Sequence, residues 1–344
     1  MVVNTAAFEL RWVVLVYQAD DLAERQRIAA IAERAWSQTA GSFMEGDFSP
    51  RSSYLPLLIL EGEWSEASHL GSTIMGLPWF FEIFGGQVAE LARWRGNPEI
   101  TWQIIRGALS DGPLTPAGKA QFQYGLELQR VAAALALDNG DLATAATWLE
   151  AHDRWLAWNG VVPGRAEGQL AWAEWHRASG DLERAVERAS AALACASNPR
   201  QPLALIAAHR LLGELETARG CCEAAETSLK ASLSLAERCA APFEQARTHY
   251  ALALLARARG ATGEASHHAQ QACDICARLG AQPLLSRITA LQAEIGAATD
   301  IARPGGITRR ELEVLRLAAQ GLDNAAIAGR LFISPHTVHR HMAN

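Results

Sequence analysis

Four glycines, Gly140, Gly180, Gly220 and Gly260, recur at intervals of 40 residues through the middle of the chain. A fixed period of this length means stacked units, each burying its apolar face against its neighbours. Five residues after each glycine stands an alanine (Ala145, Ala185, Ala225, Ala265), and five residues before each stands a large apolar side chain (Leu135, Trp175, Leu215, Leu255). The pattern predicts helix, glycine turn, helix. The alanine lets the two helices approach closely, and the bulky residue fills the groove between units. Pro202 and Pro242, again 40 apart, with Pro163 and Pro283 one residue out of phase, mark the loops between hairpins. Gly62 and Gly96 predict weaker turns upstream, so the array is expected to begin near residue 50 with irregular units.

Composition agrees with such an array. Of 344 residues, 49% are hydrophobic and 20% charged, with a net charge of −6, which excludes a disordered chain or a membrane bundle. The longest early apolar run, Trp12 to Tyr17, is six residues, far short of the roughly 20 that span a bilayer. No signal-peptide pattern opens the chain, so a cytoplasmic location is expected, and Cys195, Cys221, Cys222, Cys239, Cys273 and Cys276 read as reduced thiols.

The hairpin pattern resembles the tetratricopeptide class over roughly residues 50 to 298, and more closely its long-helix variants, because the period exceeds the usual length of about 34. The resemblance implies a right-handed solenoid with a concave face.

A second module follows a Pro304-Gly305-Gly306 break. Thr308 and Glu311 fit a capping box, and Leu312, Leu315 and Ala319 are expected to form the buried face of the helix that follows. Gly321 ends this helix, and Asp323 is placed to cap a second, Asn324 to about Leu331, with Ile327 and Leu331 facing the first. After a turn at Phe332 and Ile333, Ser334 offers a cap and Pro335 stands at a first helical position, so a third helix is predicted. Helix, tight turn, helix is the geometry that places a recognition helix in the DNA major groove.

The segment ITRRELEVLRLAAQGLDNAAIAGRLFISPHTVHRHMAN resembles the bacterial LuxR/NarL-type helix-turn-helix domain, with Thr308, Arg310, Glu311, Glu313, Val314, Leu315, Gly321, Leu322, Asn324, Ile327, Ala328, Leu331, Ile333, Ser334, Thr337, Val338 and His341 in register. The resemblance implies that Val338 lies in the core and that a DNA-facing surface is built from Asn324, Ser334, His336, Thr337, His339, Arg340, Ala343 and Asn344. Arg340 can serve a phosphate or the O6/N7 edge of guanine and Thr337 a phosphate oxygen. His339 stands where the family usually has lysine, and Ala325-Ala326 replaces a charged pair. The family continues into a fourth helix that commonly supplies a dimer contact, so a truncated module is expected here. A fragment and a natural loss of DNA binding both remain open. Residues 304–344 hold five arginines (309, 310, 316, 330, 340) against Glu311, Glu313 and Asp323, a balance of +2, so the remainder carries −8. This charge split suits a DNA-facing end.

The combination also resembles the C-terminal part of large ATP-binding LuxR regulators, which place an ATPase before such an array. No nucleotide site is carried over. Gly112 to Lys119 has five residues between its glycines and ends in Ala120 where a P-loop needs Ser or Thr, so it reads as a proline-rich turn. Cys273 and Cys276 share a helix face, but Cys273 keeps the register of Leu193 and Leu233, and packing is preferred to a metal site. All eleven tryptophans lie in the first 175 residues; Trp148, Trp155 and Trp158 are spaced to build an aromatic effector groove, with core packing the alternative.

The sequence thus predicts an all-α chain: an N-terminal helical segment (1–50), a tetratricopeptide-like solenoid (51–298), a linker (299–306) and a truncated helix-turn-helix (307–344). The expected function is a non-enzymatic, cofactor-free transcriptional regulator. Its partners would be double-stranded DNA, a second copy when full length, and a small-molecule or protein effector on the array; no membrane is implied. The alternative is an interaction scaffold that does not bind DNA.

Overall fold

A computed structural model describes residues 13–39, 54–74, 78–301 and 309–343. The described residues are mainly helical, with no strand, and the chain divides into two compact units, Met1–Leu291 and Gln292–Asn344.

Among the described residues the first unit holds α1 (Leu15–Tyr17) and α2 (Leu22–Thr39), then α3 (Leu55–Glu61), α4 (Trp64–Ile74), α5 (Pro78–Trp94) and α6 (Pro98–Ala108). The regular hairpins are α7 (Phe122–Asp138) with α8 (Leu142–Asn159), α9 (Arg165–Ala178) with α10 (Leu182–Ser197), α11 (Pro202–Ala218) with α12 (Cys222–Arg238), and α13 (Pro242–Ala258) with α14 (Thr262–Leu279). In the most regular stretch, helices of 17 residues alternate with three-residue turns, and two such steps give the 40-residue period.

The turn chemistry is the predicted one. Gly140, Gly180, Gly220 and Gly260 all have φ between +73° and +86°, the left-handed region that ends helices at little cost only for glycine. Each turn closes with the same pair of bonds; at the first, the Gly140 and Asp141 amides donate to the Leu137 and Ala136 carbonyls at 3.0 and 2.9 Å. Asp141 and Asp181 then cap the next helix, whereas Cys221 and Ala261 offer no side-chain cap. Ala145, Ala185, Ala225 and Ala265 are fully buried, as are Leu135, Leu215 and Leu255. Trp175 is half-buried and donates its indole N–H to the Leu142 carbonyl at 2.8 Å. Pro202 and Pro242 occupy first helical positions.

A second set of left-handed residues, Gly160, Ala240 and Gly280, marks the turns between hairpins in the same 40-residue register. Ala240 adopts this conformation at φ +46° without being glycine.

The N-terminal residues are part of this unit. Ala19 packs with Ile206, Ala236, Cys239 and Ala241. Arg25, 1% exposed, donates to the carbonyls of Ala19 and Cys239 at 2.9 and 2.6 Å and pairs with Glu61. Asp20 receives the guanidinium of Arg200 at 2.6 Å and pairs with Arg238, and the hydrogen bond from Arg200 holds its carboxyl below the usual range. The array therefore closes on itself across about 200 residues of sequence. Gly62 lies so near Pro242 that a Cβ there would come within 2.7 Å of the proline ring.

In the last element that begins in the first unit, α15 (Gln282–Ile301), the helix runs three residues into the expected linker. The remaining linker residues and the Thr308 cap lie outside the described residues. The second unit contains α16 (Arg309–Ala319), α17 (Asn324–Leu331) and α18 (Pro335–Ala343). Its core is Val314, Ile327, Ala328 and Val338, covered by Leu317, Ala318, Leu322, Leu331 and Ile333. This corrects the expected inner face of α16: Leu315 is 39% exposed, Ala319 is exposed and Leu312 is half-buried. Two apolar stripes with helical spacing run along α16, and contact with Ile327 and Val338 selects the one at Val314, Leu317 and Ala318.

Candidate functional site

Two places gather chemistry, one in each unit. In the second unit, α17 and α18 form the helix-turn-helix pair around the turn Phe332-Ile333-Ser334. Asp323 accepts from the Ala326 amide at 2.8 Å and caps α17. The Ser334 hydroxyl accepts from the Thr337 amide at 3.0 Å and lies 2.8 Å from the Thr337 hydroxyl, which caps α18 and engages both side chains. Arg310 pairs with Glu313 and donates to the carbonyl of Leu331, tying α16 to the end of α17. It braces the turn, a role that sequence reasoning missed when placing it only in the family register and among the basic residues.

With Val338 buried, the opposite face of α18 presents His336, His339 and Arg340 to solvent; Asn324 is exposed at the start of α17 and Thr337 is half-buried. Ala343 ends α18, nothing is described of its side chain, and Asn344 lies outside the described residues. Phe332 sits in the turn at φ +54° and is 96% exposed.

The second place is a cavity of about 350 Å³ inside the array. Five of its lining residues, Gln87, Glu127, Glu167, Ala207 and Arg247, stand 40 apart, one on each first helix of successive hairpins from α5 to α13. Leu15, Ile59, Leu60 and Trp94 supply an apolar side. Beside the cavity runs a ladder of three glutamates and three arginines. Arg177 bridges Glu174 and Glu214, Arg210 bridges Glu214 and Glu244, and Arg247 meets Glu244 at 3.2 Å. Burial alone would raise the Glu244 carboxyl, but the guanidiniums of Arg210 and Arg247 outweigh it and hold it at about 2. Burial pushes the Glu90 carboxyl upward despite nearby arginines.

The predicted tryptophan groove falls elsewhere. Trp148 and Trp155 are core residues, Trp155 donating its indole N–H to the Thr115 carbonyl at 3.0 Å, whereas Trp158 is 61% exposed against Phe122. Trp148 and Trp155 share one core cluster, and the Phe122 ring lies 6.0 Å from those of both Trp155 and Trp158. A signal for the cavity was present in the sequence: the 40-residue register read at polar positions rather than at glycines.

The other candidates resolve locally. Lys119 pairs with Asp111 at 2.6 Å in the proline-rich turn. Cys276 is fully buried, which pushes its thiol up to about 12, and Cys273 is half-buried. No helix among the described residues is long and apolar enough to cross a membrane.

Residues 306–344 match the family described as bacterial regulatory proteins, luxR family (GerE). No curated protein matches the chain. Among solved structures, a Rap protein complexed with Competence and Sporulation Factor aligns at TM-score 0.59 and 12% identity, over 99% of this chain and 98% of that one. A Signal Transduction ATPase with Numerous Domains with a tetratricopeptide repeat sensor, from Pyrococcus horikoshii, aligns at TM-score 0.48 and 11% identity over 93% of this chain. The present chain spans 52% of that protein's length.

Proposed function

We propose that this chain is a transcriptional regulator in which α18 reads double-stranded DNA and the repeat array receives an effector. The luxR-family match at residues 306–344 carries this reading. The cap and core geometry supports it, since burial of Val338 leaves His336, His339 and Arg340 together on the outer face. The Rap protein of similar fold was solved with a bound factor, and by analogy the array here is assigned the sensing role. Binding to DNA as a homodimer and the absence of catalysis belong to the same proposal. An effector would act by binding one arrangement of the protein more tightly than another.

The test is binding to DNA selected from a random duplex pool, measured at two salt concentrations. A specific complex with a steep salt slope is expected. Arg340→Ala should weaken it and lower the slope by about one, the signature of a lost phosphate contact. His339→Lys, which adds a full charge where the family usually has lysine, should tighten it. No selected sequence, with the helices intact by circular dichroism, would leave the interaction-scaffold reading in its place.

A further inference from the structure

The polar wall of the array cavity is unbalanced in one direction. Three buried side-chain atoms that line it lack a hydrogen-bond partner: Gln87 Oε1, Glu167 Oε2 and Gln201 Oε1. All three are acceptors. The amide orientations are fixed by their other ends: Gln87 Nε2 donates to Glu127 at 2.8 Å, and Gln201 Nε2 faces the Cys195 and Pro199 carbonyls at 3.3 and 3.5 Å. Gln201 is 2% exposed. Buried acceptors without donors are costly and rare in native proteins.

Charge leans the same way. Glu127, Glu167 and Glu244 line the cavity against Arg130 and Arg247, three carboxylates to two guanidiniums, with Glu90 a fourth acid whose neutral form burial favours. Arg247 already meets Glu244 at 3.2 Å, and Arg130 lies 3.2 Å from the ring of His152. The opposite side is apolar and includes Trp94, which packs 4.7 Å from Phe243 and 5.7 Å from Trp64, a surface suited to a cation or an aromatic ring.

We infer that this cavity is a binding site for a small organic cation, an amine or guanidinium joined to an apolar body, whose N–H donors meet Gln87, Glu167 and Gln201. The volume of about 350 Å³ falls in the range of small-molecule sites. This deepens the sensing role proposed for the array and rests on it only for its regulatory meaning; the binding itself is independent of DNA.

The test uses the full chain without DNA and a set of matched compounds. Tryptamine, tryptophol and indole-3-acetate share one apolar body and differ in charge, while agmatine and arginine amide extend the cationic series. Binding is read by calorimetry and by thermal shift at millimolar ligand. At least one cation should bind, with tryptamine favoured roughly tenfold or more over tryptophol and indole-3-acetate. Glu167→Gln keeps the shape and removes the charge, and should weaken the cation by a similar factor. Ala207→Leu, which fills the cavity from the neighbouring register position, should abolish binding while helicity is retained. The inference is overturned if no cation binds, if the three indoles bind alike, if the anion binds best, or if folded Glu167→Gln binds as the parent does. Loss of DNA recognition with cavity binding intact would sink the regulator reading alone, and the reverse result would sink the cavity alone.

Discussion

In the repeat array each helix shares buried alanines and leucines with neighbours on two sides, whereas the C-terminal module rests on Val314, Ile327, Ala328 and Val338. The difference is one of redundancy. The array holds several separate apolar clusters, and it can enclose a polar cavity because no single layer carries the whole fold. The module has one layer, and its outer face is available for contacts because so little of it is needed inside. A solenoid gains stability by repetition, and a small domain must find it in a few side chains.

Breaking the smaller unit should have the largest effect. Val338→Asp places a carboxylate among apolar atoms and should destabilise the module by on the order of 5 kcal/mol. DNA binding should vanish while the main unfolding transition of the array, followed by circular dichroism, stays in place. A shift of both transitions together would show that the two units do not unfold independently.

Next comes the seam that closes the array. Arg25→Met leaves Glu61 and two carbonyls without their donor and should cost about 3 kcal/mol, read from the midpoint of urea unfolding. If the loss is only a few tenths, the array behaves as an open solenoid and the closure is incidental.

A smaller effect follows from the histidines of α13 and α14. His249 Nδ1 lies 3.0 Å from His268 Nδ1, and burial, with the charges of His268 and His267, lowers His249 to about 4. Because the folded value lies below the unfolded one of about 6.5, the unfolded chain takes up the proton first as pH falls. Stability should therefore drop between about pH 6.5 and pH 4 and level off below, by on the order of 2 kcal/mol once solvent screening of this partly exposed ring reduces the full effect of the shift. In His249→Phe the drop should shrink; an unchanged profile would assign it to other groups.

The smallest is a gain. Ala240→Gly relieves a left-handed alanine at φ +46° and should stabilise the array by roughly 1 kcal/mol, detected as a raised Tm. Arg340→Ala and His339→Lys probe the module's outer face without touching its core.

Local rules made much of this architecture legible. The glycine and alanine registers needed only one turn and one close helix contact each, and Asp323, Ser334 and Val338 were placed by cap chemistry and by family register. The inner stripe of α16 was misread because Leu312, Leu315 and Ala319 have helical spacing as good as that of Val314, Leu317 and Ala318; only the partner helices choose between them. Contacts such as Arg25 with Cys239 leave no local trace, since nothing in either neighbourhood requires the other. The cavity was half-legible: Gln87, Glu127 and Glu167 keep the 40-residue register, but Leu15, Ile59 and Leu60, which line its apolar side, stand outside that register. The aromatic signal pointed to Trp148 and Trp155, where large side chains serve packing.

That closure also sets an order of events during synthesis. Ala19 and Arg25 leave the ribosome well before their dock, since the carbonyl of Cys239 that Arg25 binds lies 214 residues further on. At 5–20 residues per second, the first strap waits on the order of 10 to 40 s for its dock. Hairpins can meanwhile add one at a time, each on the last, and Ala19 and Arg25 can dock only once the turn at Cys239 has emerged.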